Sequence, residues 1–453
     1  MKLARQKIAD VFKTVGQPTV TYVKRDSGSL EQLLSGALNE AGQLCLVTGP
    51  SKTGKTTLYR EVLSQRNELP LIVRCDSKMT ADEVWLKALE EVDFDRVQSR
   101  TRATINRIGI EAEVGGKLSW AWLAETTSRF KGLFSREMQD SDVRSRVLAA
   151  PGPDLLIPIL NDTAYTLVVE DFHYLPDDEK VALFQQWKRF VDQEVSVVVL
   201  STTHRAVDIA NSNKDLIGRV AHIDVGHWDV KDLELIAQKG FDHLRIGFDP
   251  DFRRLIASEA VGLPIIVQQA CLALFQNKTF TDEIDRKKLR VDKHAVERAL
   301  HHVARVKYQQ FDPYYATLIR GPREKARKYK TYELVLACFT LDPIKFFLHR
   351  REIDDRLTRL QIPADELPPF ASLNSTLGAL KKFQTKREFE LLEWRPNEDM
   401  LYIIEPAFLF FVRWRTIKEV EYHQLDLFEQ LISKSWNQVI LSANENDTVK
   451  PVS

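Results

Sequence analysis

The sequence predicts an α/β fold in which helices cover both faces of a parallel sheet, followed by a helical region and a small C-terminal domain. Two observations predict the sheet. Apolar runs of strand length, among them residues 44–47 and 71–75, alternate with segments of helical periodicity, and this order is typical of parallel sheets. The turn that follows the first of these runs contains two glycines and leads directly into a helix.

That turn satisfies every fixed position of the phosphate-binding pattern G-x-x-x-x-G-K-[ST]. The predicted binding loop consists of Gly49, Pro50, Ser51, Lys52, Thr53, Gly54, Lys55 and Thr56, with Thr57 directly after it. Glycines at both ends let backbone N–H groups converge on one anion, and the following helix adds the partial positive charge of its N-terminus. We expect Lys55 to contact the β and γ phosphates of ATP and Thr56 to hold a Mg²⁺ ion.

The charge balance and the cysteines limit the partners and the binding sites that the chain can have. The chain has 453 residues, and Lys plus Arg and Asp plus Glu both number 64. This balance excludes a global charge that would attract the chain to nucleic acid or to a membrane, so any such surface must be local. The four cysteines stand singly in apolar segments, which predicts buried hydrophobic residues rather than zinc ligands or disulfides.

The sequence also lacks membrane and export signals. No uninterrupted apolar run approaches the roughly 18 residues of a membrane span, and no apolar segment follows the basic N-terminus. We therefore expect a cytoplasmic protein without membrane contacts.

A further apolar run, residues 165–169, ends in Glu170 and Asp171. Carboxylates at the end of a strand that follows a phosphate loop are typical of the second half of an ATPase site. One acid orients the water shell of Mg²⁺, and the other positions or deprotonates the attacking water. We predict the metal role for Glu170 and the base role for Asp171, with the reverse assignment and a plain strand end as alternatives.

Two other polar positions are candidates for the γ-phosphate. Thr202 follows the apolar run 195–200, where it would sense the γ-phosphate or hold the attacking water, unless this is only a turn. His173 follows the two acids and could contact the same phosphate. The alternative for His173 is a hydrogen-bonded structural role.

The C-terminal part predicts a winged helix. Helical patterns at about 332–339, 351–360 and 372–383 precede two strand-like runs, 389–394 and 400–404, which are separated by a turn. The third helix would be the recognition helix, and four cations lie at and beyond its end: Lys381, Lys382, Lys386 and Arg387. They could neutralise DNA phosphates without reading sequence, or they could be the solvated end of a helix.

The order of phosphate loop, acidic strand end and polar strand end resembles the AAA+ ATPases, including origin-recognition-like proteins, and their STAND relatives, the signal-transduction ATPases with numerous domains. The resemblance runs from Tyr22 to Arg415, although short motifs carry it. It implies a P-loop NTPase core over residues 1–228 with an insertion at about 93–153. It also implies a helical lid over 229–319 and a winged-helix domain over 320–441, with a flexible tail over 442–453.

The resemblance also implies roles for residues outside the loop. Arg219 precedes the predicted strand 220–225, where AAA+ proteins place an arginine finger that acts on a neighbouring subunit, and Arg205 is a weaker candidate. A surface arginine near a helix C-terminus is the alternative. Tyr22 and Arg25 would line the adenine, unless they only pack on the domain edge.

Pro264 resembles the proline of the G-x-P motif in the STAND branch, where it approaches the adenine or the phosphates. Residues 265–267 are apolar, whereas many AAA+ proteins place a sensor arginine there. This departure favours a switch over a motor.

The function that we predict is an ATP-binding, slowly hydrolysing switch that couples nucleotide state to assembly, as a homo-oligomer, or to partner binding. One alternative is a DNA-binding regulator or loader in which hydrolysis is incidental. Another is a sensor of a defence system that acts with a separate effector protein.

Overall fold

The computed structural model describes residues 5–96, 118–127, 139–202, 216–226, 228–275, 278–285, 291–322, 329–341, 343–360, 362 and 365–415. The chain divides into two compact units. The sheet unit comprises Lys24–Pro50 and Gly54–Gly226, and the helical unit comprises Met1–Val23, Ser51–Thr53 and His227–Ser453. This division places the first residues and the tip of the phosphate loop with the helical unit. The finer boundaries of lid and winged helix stay predictions.

A parallel five-stranded sheet with the order β2-β3-β4-β1-β5 forms the sheet unit. Its strands are β1 (Leu44–Thr48), β2 (Leu69–Arg74), β3 (Tyr165–Glu170), β4 (Val197–Ser201) and β5 (Val220–Asp224). Strands β1, β3 and β4 are buried along their whole length, as expected for strands covered on both faces.

The helices of the sheet unit are α2 (Ser29–Asn39), α3 (Lys55–Gln65), α4 (Ala81–Glu90), α5 (Trp120–Thr126), α6 (Asp140–Leu148), α7 (Pro153–Asp162) and α8 (Asp177–Asp192). Helix α4 begins with a reciprocal capping box between Thr80 and Glu83, a start that the sequence pattern T-x-x-E predicts. In α3, Leu58, Tyr59 and Val62 fall on one buried face.

Both faces of the sheet are covered, which confirms the predicted α/β fold class. Leu46 packs in a buried cluster with Trp85 of α4 and Trp187 of α8. The neighbouring Val47 packs in a second buried cluster with Tyr59 of α3. Because successive side chains of a strand point to opposite faces, the two clusters lie on opposite sides of the sheet.

The insertion at 93–153 contributes helices α5 and α6. Alternation around Gly115 and Gly116 predicts a hairpin or a mobile insertion over residues 109–120, of which residues 109–117 lie outside the described part of the chain. Trp120 begins α5, with Ser119 accepting a hydrogen bond from Trp122 N as its cap, so the hairpin prediction is wrong for this last residue. A serine cap before an aromatic run favours the helix.

The helical unit contains α1 (Ile8–Val11), α9 (Val230–Leu244), α10 (Pro250–Glu259), α11 (Pro264–Ala273), α12 (Lys293–Lys307) and α13 (Asp312–Arg320). Asp292 caps α12 and Asp249 caps α10 by accepting hydrogen bonds from backbone N–H groups. Proline occupies the first turn of α10, α11 and α13, where its missing N–H costs nothing.

The last part of the helical unit consists of α14 (Thr331–Thr340), β6 (Phe347–His349), α15 (Arg350–Arg359), α16 (Phe370–Lys386), β7 (Leu392–Arg395), β8 (Met400–Ile403) and α17 (Ala407–Trp414). Its strands form an antiparallel sheet of order β6-β8-β7. The three helices and the hairpin agree with the predicted elements, whereas β6 was not predicted.

All four cysteines are free and buried. Burial raises the pKa of the Cys45 thiol to about 12, so this group behaves as a small apolar side chain. Among the described residues, none of the helices combines the length and the apolar character that crossing a membrane requires.

Candidate functional site

The phosphate loop leaves β1 and enters α3 through backbone that only glycine adopts easily. Gly49 has φ 142° and Gly54 has φ 100°, both in the region that side chains disfavour. Gly54 is also the N-cap of α3, so the helix begins at Lys55. The two glycines therefore stand where the pattern requires them, at both ends of the loop.

Lys55 lies back over the loop. Its ammonium donates hydrogen bonds to the carbonyl oxygens of Gly49 and Pro50, each at 2.7 Å. These contacts hold a positive charge beside the first turn of α3, whose amide groups already favour an anion. In the helical unit, Trp228 Nε1 donates to the carbonyl oxygen of Thr53 at 2.8 Å, which fixes the tip of the loop.

The structure brings the loop and the acidic strand end together. Thr56 Oγ1 donates a hydrogen bond to Glu170 Oε1 at 3.3 Å, across 114 residues of sequence. Thr56 is the second residue of α3 and Glu170 is the last residue of β3. A hydroxyl oxygen and a carboxylate oxygen at this spacing are ligands that suit Mg²⁺, directly or through water. The residues present therefore fit the predicted metal.

Two further side chains hold Glu170, and sequence analysis missed both. Tyr59 OH donates to Oε1 at 2.9 Å, and Arg74 Nε donates to Oε2 at 3.0 Å. Burial raises the pKa of Tyr59, so its hydroxyl stays a donor. Arg74 ends β2, the neighbour of β3, and it pairs with Glu170 in the register of the sheet. The sequence already placed Arg74 near the end of a predicted strand. Nothing in the sequence indicated the contact between Tyr59 and Glu170.

Asp171 follows β3 in left-handed backbone, with φ 58° and ψ 28°. Its pKa is raised, chiefly by burial and then by the adjacent Glu170 carboxylate, while Arg74 and Lys55 act in the opposite direction. Positive φ in a residue that is not glycine is uncommon and often marks a functional position. Asp171 thus differs from Glu170, whose carboxylate is held by three donors.

Thr202 directly follows β4, and β4 lies between β1 and β3 in the sheet. The carboxyl ends of parallel strands meet at one edge, so Thr202 stands between the phosphate loop and the two acids. Thr48, the last residue of β1, pairs with Ser201 and also contacts His222 of β5, with Oγ1 and Nε2 2.7 Å apart.

His173 lies in a short 3₁₀ helix, Phe172–Tyr174, directly after Asp171. Its Nδ1 atom is buried and finds no hydrogen-bond partner among the described residues, so the alternative of a hydrogen-bonded structural histidine has no support from this atom. Burial, with the positive charges of Lys55 and Lys180, lowers the pKa of His173 to about 4. The imidazole is therefore neutral at pH 7.

Arg219 lies at the opposite edge of the sheet from the loop. Its carbonyl oxygen accepts from Leu44 N at 2.8 Å, where β1 begins, and its exposed side chain donates from Nη1 to Ala41 O at 3.3 Å. Strand β1 separates this edge from the loop by about 13 Å. The Arg219 side chain therefore faces away from the phosphate loop of its own chain. Arg205 lies outside the described residues.

The remaining predicted residues are distributed over both units. Arg25 is buried in the sheet unit, in the 3₁₀ segment Arg25–Gly28. Tyr22 belongs to the helical unit, where its carbonyl oxygen accepts from Lys239 Nζ at 2.6 Å. Pro264 is the first residue of α11, after Val261 at φ 47° and Gly262 at φ 73°. Their nucleotide roles stay predictions.

The four cations of the predicted recognition helix are all exposed. Lys381, Lys382 and Lys386 lie in the last turns of α16, and Arg387 is its C-cap. The helix extends three residues beyond the predicted end at Phe383, so Lys386 belongs to the helix and Arg387 caps it.

The comparisons with known proteins concern the fold. No family model matches the chain, and no curated protein matches its sequence. Among solved structures, the chain is similar to a Walker-type ATPase of Pyrococcus abyssi at 14% identity, covering 89% of this chain and 99% of that chain with a TM-score of 0.48.

Two other similar structures have lower scores. The ORC2 protein of Aeropyrum pernix, in ADPNP-ADP complexes, has 11% identity, coverage of 95% and 98%, and a TM-score of 0.41. The RuvB Holliday junction branch migration motor of Thermotoga maritima has 12% identity, coverage of 86% and 97%, and a TM-score of 0.36. At these values the likeness does not extend to activity or partners.

The assignment of the fold rests on the chain itself. A glycine loop joins β1 to α3, two acids follow β3, and β4 lies between these strands in a parallel sheet whose faces are both covered. The chain has an α/β P-loop NTPase fold, with a helical C-terminal part.

Proposed function

We propose that the chain is a Mg²⁺-dependent ATPase that works as a nucleotide-controlled switch. The observation that carries this proposal is the hydrogen bond from Thr56 Oγ1 to Glu170 Oε1 at 3.3 Å. It unites a phosphate loop with an acidic strand end far along the sequence, and these are the two halves that phosphoryl transfer to water requires.

Each residue of the site has a distinct task in this proposal. The loop amides and Lys55 would bind the β and γ phosphates, and Thr56 and Glu170 would hold Mg²⁺, which would supply positive charge to the phosphate oxygens. Glu170 accepts bonds from three donors and is therefore fixed in place. Asp171, whose pKa is raised, orients the attacking water and accepts its proton, with Thr202 as a second contact to that water.

The position of Arg219 supports assembly into an oligomer. An arginine at the far edge of the sheet cannot stabilise phosphoryl transfer on its own chain, but it can do so on a neighbouring copy. We infer a homo-oligomer in which Arg219 completes the next subunit's site.

The switch reading is supported by the backbone before Pro264. Val261 has φ 47°, which is a strained conformation for a β-branched residue. Such strain is kept where the surrounding structure requires it, and here it directly precedes the helix that carries the proline of the predicted G-x-P motif.

The direct test measures ATP affinity and phosphate release of the full chain with Mg²⁺ and with EDTA. The parent should hydrolyse ATP slowly and only with Mg²⁺, and Thr56→Val should need a higher Mg²⁺ concentration. Thr57→Val is the matched control, because Thr57 lies next to Thr56 but outside the pattern. Equal Mg²⁺ dependence in parent and Thr56→Val would refute the metal role.

DNA binding is the second candidate function. The exposed cations at the end of α16 favour it, as does the order of three helices and a hairpin, which suits a winged helix. Affinity for duplex DNA should fall steeply with salt, and Lys381→Ala with Lys382→Ala should reduce the slope by about two. Absence of salt-sensitive binding would leave these residues as a solvated helix end.

A further inference from the structure

A small pocket lies within the helical unit, away from the nucleotide loop. It has a volume of about 420 Å³ and is formed where α15 and α16 begin and where the β7–β8 hairpin turns. Pockets of roughly 300–1,000 Å³ are the size that small-molecule ligands occupy. Its lining includes Arg350, Asp354, Phe370, Asn374 and Trp394.

Arg350 is a buried cation with unused donors. Only 4% of its side chain is exposed, yet neither terminal nitrogen donates a hydrogen bond to another described residue. Nε donates to Asn374 Oδ1 at 2.7 Å, and Nη1 lies 2.6 Å from Asp354 Oδ1 as an ion pair without hydrogen-bond geometry. A buried guanidinium is costly unless its donors find acceptors, so these nitrogens suit an external oxyanion, which reaches them when the exposed Phe370 ring or the Asp354 carboxylate moves aside.

The position of Arg350 strengthens this reading. It is the first residue of α15, where the helix dipole disfavours a cation but favours an anion. Phe370 begins α16 at the same pocket, and neither N-cap residue, His349 or Pro369, caps its helix with a side chain. The starts of two helices and one guanidinium therefore line a single space, although the backbone N–H of Arg350 already donates to Asp399 O at 2.9 Å.

Aromatic residues form the walls. The Arg350 guanidinium lies 4.4 Å from the centre of the Phe370 ring, and Phe370 is 62% exposed although it is large and apolar. Trp394 of β7 is half-buried at the same pocket. A flat apolar group would cover the exposed ring while its anionic substituent reaches the guanidinium.

We propose that this pocket binds a small organic oxyanion, a carboxylate or a phosphate on a flat apolar body, with Arg350 as the anion contact and Phe370 and Trp394 as the walls. DNA backbone is the less favoured ligand, because backbone phosphates are usually met by exposed cations. The exposed lysines of α16 begin about 16 Å further along the helix axis, at Lys381. The proposal does not depend on ATP binding at the loop.

Asp354 provides a further test of oxyanion binding. Its carboxylate, 45% exposed, already faces Arg350 Nη1 and must compete with an incoming oxyanion. Removing that charge with Asp354→Asn should therefore tighten oxyanion binding. A merely structural ion pair would predict no ligand binding in either form.

The experiment is calorimetric titration of the full chain with phenylphosphate, phenylacetate and the neutral 2-phenylethanol. At least one anion should bind saturably and the alcohol should not, and the stronger anion identifies whether the ligand carries phosphate or carboxylate. Arg350→Lys should weaken binding by about tenfold or more, because the planar fork is lost. Phe370→Ala should also weaken it, and since Phe370 is exposed this variant should fold even if Arg350→Lys does not.

Controls separate this site from the others. Lys55→Ala should leave anion binding unchanged, which excludes phenylphosphate in the phosphate loop, and Arg359→Lys is the matched substitution on the same helix. The proposal is overturned if neither anion binds, if the alcohol binds as tightly, or if Arg350→Lys and Phe370→Ala bind as the parent does. Duplex DNA binding that requires Arg350 and Phe370, without anion binding, would also overturn it.

Discussion

The two carboxylates at the end of β3 are neighbours in sequence but differ in environment. Glu170 is 8% exposed and accepts hydrogen bonds from Thr56, Tyr59 and Arg74. Its negative charge is therefore partly balanced by Arg74, and its oxygen atoms are fixed in place. Asp171 carries a raised pKa and stands in left-handed backbone. Glu170, held by three donors, suits a fixed metal site. Asp171 suits contact with a reacting water.

This difference predicts separate phenotypes. Asp171→Asn should keep ATP bound and slow hydrolysis by about 100-fold or more, because general-base catalysis is removed. Glu170→Gln should raise the Mg²⁺ concentration needed for binding. The measurements are ATP affinity and single-turnover hydrolysis over a Mg²⁺ series, and exchanged phenotypes would mean that the two roles are reversed.

His173 predicts a pH dependence of stability. Its pKa is about 4 in the folded chain and 6.5 in the absence of the fold, so below pH 6.5 the unfolded chain takes up the proton first. The stability that this residue contributes is therefore complete above pH 6.5 and lost as the pH falls toward 4. The loss should be about 1–2 kcal/mol after allowance for partial exposure.

Denaturant unfolding of the parent and of His173→Gln between pH 7.5 and pH 4 measures this loss of stability, since glutamine does not titrate. The variant should lose less stability than the parent over that interval. Parallel curves would contradict the low pKa of His173.

Sequence patterns could locate the main polar and charged residues of the candidate site but not all their partners. Lys55, Thr56 and Glu170 stand in patterns that phosphate and Mg²⁺ binding impose, so they were found from the sequence. Tyr59 is an ordinary core residue of an amphipathic helix by its sequence, and only the packing of α3 against β3 brings its hydroxyl to Glu170.

In α9, packing overrides helix propensity. Gly240 is buried within α9, where a Cβ atom would overlap the ring of Phe12. Phe12 is fully buried and lies 5.3 Å from Phe241 and 6.1 Å from Phe275, measured between ring centres, so it has no space to move. The glycine is thus required by the contact between α9 and the chain after α1.

Gly240→Ala should therefore destabilise the helical unit by about 1–3 kcal/mol, although alanine is the better helix former. Gly378 is the matched control, because a Cβ at that position of α16 meets nothing within 4 Å. Gly378→Ala should stabilise by about 0.5–1 kcal/mol. Thermal unfolding of the two variants measures these changes in stability. Stabilisation by both substitutions would contradict the packing at Phe12.

Long elements were predictable and the short strand was not. Amphipathic patterns and the Thr80 capping box indicate α2, α4 and α8 within a few residues, because burial of one face imposes a period on the sequence. Strand β6 has only three residues, Phe347–His349, of which Leu348 alone is buried. So short a segment carries no period, and its pairing with β8 is decided by the tertiary fold.

The separation of Arg219 from the phosphate loop bears on whether copies of the chain assemble. Arg219 lies where β5 begins and the phosphate loop follows the end of β1, so a single chain keeps them at opposite edges of the sheet. Sequence analysis gave the position of Arg219 relative to β5 but could not give this separation, which depends on the strand order.

Mixing experiments test the assembly. Turnover per subunit should rise with protein concentration, and Arg219→Ala should lose on the order of a thousandfold in rate without losing ATP binding. Mixing Arg219→Ala with Lys55→Ala should restore part of the activity, because some interfaces pair an intact loop with an intact arginine. Concentration-independent turnover with an active Arg219→Ala variant would indicate a monomeric switch.

We propose that residues 49–56 bind the phosphates of ATP for hydrolysis at Glu170 and Asp171. The most direct measurement is ATP turnover and affinity of Lys55→Ala beside Lys52→Ala, since both remove a cation from the same loop but only Lys55 contacts the carbonyl oxygens of Gly49 and Pro50. We expect Lys55→Ala to abolish binding or turnover and Lys52→Ala to retain both. A folded Lys55→Ala variant with the affinity and turnover of the parent would contradict it.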